Sequence, residues 1–192
     1  MKKILSALLA IALLASLLVS CNKVGISAEE TNFVMITVKD YGEIIVELYP
    51  DVAPITVENF KKLVSKGFYD GLIFHRIIEG FMIQGGGFTE SNKHKESASI
   101  KGEFAANGVQ NDLKHTRGVI SMARTNDMNS ASSQFFICQE DYDYGNGQYA
   151  AFGKVVKGMK VVDAIAAVPT GYGDKPLKAV VIESIKFVTY EG

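Results

Sequence analysis

Phe-His-Arg-Ile-Ile-Glu-Gly-Phe-Met-Ile-Gln-Gly-Gly, residues 74–86, sets an imidazole, a guanidinium and a carboxamide among bulky apolar side chains. The stretch reads as short strands, Leu72–Ile78 and Phe81–Ile83. Taken singly, each polar residue has an ordinary structural reading. Arg76 alone is a solvated or salt-bridged strand residue, and His75 a packed or capping histidine. Phe81 and Met82 alone are core, and Gly85-Gly86-Gly87 a turn. No Lys-Ser/Thr and no helix start follows the glycines, which argues against a phosphate-binding loop.

Upstream, Phe33–Val38 and Glu43–Leu48 read as strands joined at Asp40-Tyr41-Gly42. In the second, Ile44, Val46 and Leu48 alternate with Glu43, Ile45 and Glu47, the period of a half-buried strand. A helix then starts near Pro54, carries Val57, Phe60, Leu63 and Val64 at helical spacing, and ends where Gly67 supplies a C-cap. Downstream, residues 89–116 are polar and Gly-punctuated and read mostly as loop. Strands resume at Gly118–Ala123, Gln134–Cys138 and Ala151–Val156. A second helix covers Met159–Ala167 and stops at Pro169, and a last strand runs over Ala179–Val188. Seven or eight short strands with two helices indicate a small barrel or sandwich closed by helices, and pattern alone does not separate the two. Eleven Phe and eight Tyr with no Trp suit such a β-rich core.

The N-terminus is of another kind. Lys2 and Lys3 precede an almost wholly apolar run, Ile4 to Val19, which suits a signal peptide and is short for a membrane-spanning helix. It ends Leu18-Val19-Ser20-Cys21, which resembles the lipobox of bacterial lipoproteins. That resemblance implies cleavage before Cys21 and lipid on Cys21. The plainer readings are an ordinary secretory signal or an uncleaved anchor, and both also export the rest of the chain. The expected organisation is a lipoprotein signal peptide over 1–20, the lipid-anchored Cys and a linker over 21–32, and one domain over 33–192. Residues 22–32 are polar and without periodicity.

Charge is nearly balanced, 20 Lys+Arg against 21 Asp+Glu, so no nucleic-acid-binding face is indicated. Without Lys2 and Lys3, 18 basic residues face 21 acidic ones, a formal charge of −3. Attraction to an anionic membrane would then have to come from lipid, not charge. With Cys21 acylated, Cys138 has no intramolecular partner. It follows Phe135-Phe136-Ile137 and reads as a small buried hydrophobe.

Ser132-Ser133-Gln134-Phe135-Phe136-Ile137 holds two serines but no Gly-x-Ser-x-Gly elbow, against a serine hydrolase. His75, His94 and His115 are far apart, and no His-x-x-x-His or Cys-x-x-Cys occurs, so no metal site is indicated.

Together these segments closely resemble the cyclophilins, the small bacterial members above all. The resemblance runs from about Phe33 to the C-terminus. It includes TVENF at 56–60, residues 74–86, GEF at 102–104, LKHTRGVISMAR at 113–124, SSQFFI at 132–137 and FGKVVKGM at 152–159. It implies a mainly β fold, a closed antiparallel eight-stranded barrel capped by two α-helices, with the substrate groove outside because side chains fill the interior. It implies a monomeric peptidyl-prolyl cis-trans isomerase that takes proline-containing polypeptides and needs no cofactor or metal.

Such an isomerase must lower a barrier of ~18–20 kcal/mol without changing a covalent bond. It does so by binding the twisted amide better than either planar form. By family position Arg76 is the donor to the prolyl nitrogen, whose lone pair becomes basic on twisting. Gln84 would hold the guanidinium and contact the substrate, and His75 would line the groove. Phe81, Met82 and Phe136 would take the proline ring. Ala123 and Arg124 would offer main-chain hydrogen bonds, which leaves the side chain at 124 less constrained. Tyr144, Gly145 and Tyr149 stand where many eukaryotic members have Trp, Leu and His, at the rim of the proline pocket. Tyr144 lacks the indole N–H that helps cyclosporin binding, so that binding is expected to be weak. Gly87 replaces a frequent Asp.

A second reading is a proline-peptide-binding chaperone or adhesion module with little catalysis. Loss of Arg76, Gln84 or Phe136 would favour it, and all three are present. A carbohydrate- or lipid-binding barrel would need an open lumen.

Overall fold

A computed structural model describes residues 23–192; the expected signal peptide, residues 1–20, and Cys21 lie outside the described residues. In chain order the elements are β1 (Lys23–Ile26), β2 (Phe33–Val38), β3 (Gly42–Leu48), α1 (Pro54–Ser65), β4 (Leu72–Ile78) and β5 (Met82–Thr89). Then come β6 (Val119–Met122), β7 (Phe135–Cys138), β8 (Ala151–Lys157), α2 (Met159–Ala166) and β9 (Val180–Glu191). The antiparallel strands run β9-β2-β3-β8-β6-β7-β5-β4, and Ile73 and Phe74 of β4 pair with Val181 and Val180 of β9. The sheet thus closes on itself as an eight-stranded barrel, a barrel and not a sandwich.

Period-two alternation fills the interior. Val34, Ile36 and Val38 of β2 and Ile44, Val46 and Leu48 of β3 point into one core cluster. Val57, Phe60 and Leu63 of α1 and Val162, Ile165 and Ala166 of α2 join it, so each helix buries its apolar face on the barrel. The rings of Phe60, Tyr69, Phe74, Phe135 and Phe152 meet there at centroid distances of 5.2 to 6.0 Å. The Tyr69 hydroxyl donates to the Ser133 carbonyl at 3.1 Å, which satisfies the polar atom that such burial would otherwise strand. A filled interior leaves the outer surface for ligands.

Alternation groups Ile45 with the outward glutamates, yet it is buried. Ile45, Met35 and Val188 form a second apolar cluster on the outside of the barrel, with Val24 of β1 packed against it. Strand β1 is a ninth strand, paired with β9 from Lys23↔Glu191 to Ile26↔Val188. Part of the segment read as linker is therefore a ladder. Thr31 donates to the Val188 carbonyl at 2.7 Å, and Glu30 and Asn32 accept from Ser65 and Lys61 of α1. The sequence hides this because β1 has four residues and one inward apolar side chain, too little for a period to show.

Helix α1 begins at Ala53, which offers no side-chain cap, and has no acid in its first turn. Glu103 supplies both from the long 89–116 loop. Its carboxylate accepts from Ile55 N (3.1 Å), Thr56 N (2.8 Å) and Thr56 Oγ1 (2.7 Å). The first-turn amides that a helix leaves unpaired are met by an anion at the positive end of its dipole.

Candidate active site

The barrel's outer face over β4, β5, β7 and β6 carries a row in register: Arg76↔Gln84, Gln84↔Phe136, Phe136↔Ser121. Directly paired residues share a face, so Arg76, Gln84 and Phe136 stand side by side. Arg76 reaches this face through a bulge. Phe74 pairs with Gly85 and Arg76 with Gln84, so His75 is one residue too many on β4. Without the bulge Phe74 and Arg76, two apart, would share a face; with it Phe74 points in and Arg76 out.

The row borders a recess of ≈ 110 Å³ lined by Arg76, Phe81, Met82, Gln84, Ala123, Arg124, Phe136, Tyr142 and Tyr149. That is far below the about 300–1,000 Å³ of drug-sized sites and suits a single small ring. A second recess of ≈ 130 Å³ shares Gln84, Ala123 and Arg124 and adds Thr125, Ser130, Ser132 and Gln134. Through those shared residues the two adjoin as one groove.

Two residues expected at the site line neither recess. His75 is half-buried on the bulge, with its ring 4.7 Å from that of Phe88. Tyr144 is 82% exposed, one ring out from the pocket, 6.4 Å from Tyr142. The wall is Tyr142, edge-on to Phe81 at 4.6 Å, and sequence reading missed it. The only signal was a second tyrosine in Asp141-Tyr142-Asp143-Tyr144. Gly145 makes this packing possible: a Cβ there would lie 2.5 Å from Tyr142 Cδ1 and 3.1 Å from His115 Cγ.

Polar partners also differ from expectation. Arg76 Nε donates to Asp174 Oδ2 at 3.2 Å, and Gln84 does not hold it. Gln84 Nε2 instead donates to Gln134 Oε1 at 3.1 Å. A carboxylate is the stronger acceptor for a guanidinium than a carboxamide. Gly87 leaves room for Gln134, since a Cβ at 87 would lie 2.5 Å from Gln134 Cγ. The Arg124 side chain is far from unconstrained. It donates to the Gln148 carbonyl from Nε and Nη2 (3.1 and 2.9 Å) and to the Thr125 carbonyl from Nη1 (2.8 Å). It also lies over the rings of Phe104 and Tyr149, at 5.0 and 4.9 Å. The Ala123 amide donates to the Gln134 carbonyl at 2.9 Å, so a peptide would meet its carbonyl.

Under the pocket, His115 is buried, stacks on Phe136 (6.0 Å, 16°) and has Nε2 3.0 Å from Ser121 Oγ. Burial lowers its pKa. Burial, and then the neighbouring Arg76 charge, pushes the His75 pKa down to about 4. Cys138 is fully buried, and burial pushes its thiol up to about 12, which leaves no thiolate nucleophile. Both histidines are therefore neutral around neutrality. Turnover should stay flat between pH 6.5 and 8 and be unaltered in shape in His75→Gln; an inflection that vanishes in that variant would show an ionising catalyst. Stability behaves otherwise. Unfolded histidines take up protons near pH 6.5, whereas folded His75 resists until about 4. The unfolded chain binds more protons in that window, so Tm should fall as pH drops from 6.5 towards 4, and less steeply in His75→Gln.

The site thus offers a guanidinium beside a small recess that Phe81, Met82 and Phe136 help to line, without an activated nucleophile or a neutral-pH acid–base group among the described residues. The family model for cyclophilin type peptidyl-prolyl cis-trans isomerases matches residues 33–187. A peptidyl-prolyl cis-trans isomerase of Acinetobacter baylyi is 49% identical over 156 residues, 77% of this chain and 80% of that protein. Peptidyl-prolyl cis-trans isomerase B of Escherichia coli is 44% identical over 158 residues, 76% of this chain and 94% of that protein. Among solved structures, a cyclophilin type isomerase of Cryptosporidium parvum, crystallised in the presence of the dipeptide Ala-Pro, superposes with a TM-score of 0.72 at 30% identity. It covers 81% of this chain and 98% of that one. With the closed barrel and its external groove, these matches show that the chain belongs to the cyclophilin-type peptidyl-prolyl cis-trans isomerases.

Proposed function

We propose that the groove isomerises X-Pro bonds in exported polypeptides and assists their folding, with the barrel held outside the cytoplasm by lipid on Cys21. The observation that carries the catalytic part is the state of Arg76. Its Nε is engaged by Asp174, and its Nη groups have no protein partner among the described residues, beside a recess of ring size. A proline ring in that recess, against Phe81, Met82 and Phe136, brings its nitrogen to the guanidinium edge. The planar amide nitrogen is a poor acceptor, because its lone pair is delocalised. Twisting localises the lone pair, and a donor waiting there stabilises the twisted form selectively. The Ala-Pro dipeptide present with the Cryptosporidium relative supports a proline-containing ligand. Gln84 and the main chain at Ala123 and Arg124 would hold the flanking peptide.

Phe136 is 5% exposed and contacts the ring rather than the reacting nitrogen. Phe136→Ala should raise KM about tenfold and lower kcat by less than threefold, since it removes a contact shared by ground and transition states. Steady-state proline isomerisation on a peptide series checks this, and an unchanged KM would refute the ring assignment.

Export and anchoring rest on Lys2, Lys3, the apolar run and Leu18-Val19-Ser20-Cys21. The native protein should sediment with membranes and carry lipid on residue 21, and Cys21→Ser should shift most of it to the soluble fraction or block processing. Mass spectrometry that finds an unmodified Cys21 in the native protein would exclude the anchor.

A further inference from the structure

We propose that Asp174 is the positioning residue for Arg76: it grips the guanidinium at Nε and so presents the Nη groups to the recess. The inference rests on the reading of Arg76 as the donor to the twisted amide. A guanidinium carries five N–H donors in a planar fork. Asp174 Oδ2 takes the Nε–H at 3.2 Å, the donor at the root of that fork. Because the fork is rigid, fixing its root fixes where the four Nη–H bonds point.

Asp174 is itself held in place. It lies in a lobe over residues 169–177 that closes by Gly171 N to Lys175 O (2.8 Å), Leu177 N to Pro169 O (2.9 Å) and a Thr170↔Pro176 bridge. Lys175 ties the lobe to the loop after β5 through Asn92 Oδ1 at 3.2 Å. The backbone at Asp174 is left-handed, φ 59, a conformation that Asp and Asn adopt more readily than other non-glycine residues. One acid therefore satisfies the turn and reaches the catalytic arginine.

The alternative is a surface ion pair with no role in catalysis. The two side chains are 42% and 44% exposed, so the pair adds little to stability, and losing it leaves the barrel folded. Orientation is another matter, because small misplacements of a catalytic group cost far more in rate than in stability. The test compares Asp174→Ala, Asp174→Asn and Arg76→Ala in the full-length chain. Asn keeps an oxygen acceptor and tolerates the left-handed backbone. Asp174→Ala should lower kcat about tenfold with KM within twofold, and solvent exchange of the Arg76 Nε–H, followed by ¹⁵N NMR, should speed up. Asp174→Asn should keep at least about half of kcat and a slowly exchanging Nε–H, since an amide oxygen can still accept that bond. Normal kcat in Asp174→Ala, or a loss of kcat with unchanged Nε–H exchange, would overturn the proposal. Arg76→Ala separates the two ideas. If it stays active, the reading of Arg76 fails; if it is crippled while Asp174→Ala is normal, only the role of Asp174 fails.

Discussion

Arg76→Ala should lower kcat/KM by about 10²–10³ while the barrel stays folded, since loss of one preorganised donor typically removes ~3–4 kcal/mol of transition-state stabilisation. Arg76 is half-exposed, and its one ionic partner among the described residues is the surface acid Asp174, so the fold does not depend on it. The loss should fall on kcat, because the donor matters when the prolyl nitrogen is pyramidal and little before. Arg76→Lys should restore little. An ammonium is a point charge without the planar fork, so it cannot give Nε to Asp174 and a second edge to the substrate. A folded Arg76→Ala protein with near-normal turnover would sink the mechanism, since isomerisation would then proceed without the guanidinium donor. Proline isomerisation followed without a coupled protease, with circular dichroism of each variant, decides this.

Glu103→Ala should strongly destabilise the fold although it lies away from the groove. Glu103 is 2% exposed, and its carboxylate serves three donors at the start of α1. Truncation leaves two backbone amides and a hydroxyl without their acceptor at a buried helix end. A hydrogen bond to a charged group is worth ~1.5–3 kcal/mol, and these three are not additive, so a loss of about 3–4 kcal/mol is expected. For a chain of this size that is a fall of roughly 6–16 °C in Tm. Glu103→Gln should lose about half as much, because its oxygen can still serve Thr56 while its NH₂ opposes Ile55 N–H. Activity per folded molecule should survive in both, since Glu103 lines neither recess. A Tm within 2 °C of the parent in Glu103→Ala would show that water caps the helix as well as the carboxylate does.

What the sequence disclosed and what it withheld divide along contact range. Strand β3 is legible from its period-two alternation, β2 and β4 from short apolar runs, and α1 from Pro54, its apolar stripe and Gly67, because each is a local pattern. Residues 74–86 and 132–137 pointed to the site through their resemblance to cyclophilin motifs, and most of the groove-lining side chains fall within those short runs. Barrel closure between β4 and β9 joins residues about a hundred positions apart and has no local trace. The same holds for the Asp174–Arg76 bond, across 98 residues, and for Glu103 at the head of α1, across 47 and 48. The bulge at His75 was invisible too, since it is set by how β4 registers on β5 and not by the composition of β4.

Strand β1 turns a tether into a stored length. With lipid on Cys21, Asn22 alone separates the anchor from the first rung, Lys23↔Glu191. In the anchored form proposed above, a closed ladder would keep the barrel close to the bilayer. If the four rungs and the contacts of residues 27–32 let go, the eleven residues from 22 to 32 pay out to at most about 35–40 Å. An enzyme anchored as proposed would then have two working radii in place of one, with a few hydrogen bonds and the burial of Val24 holding the shorter.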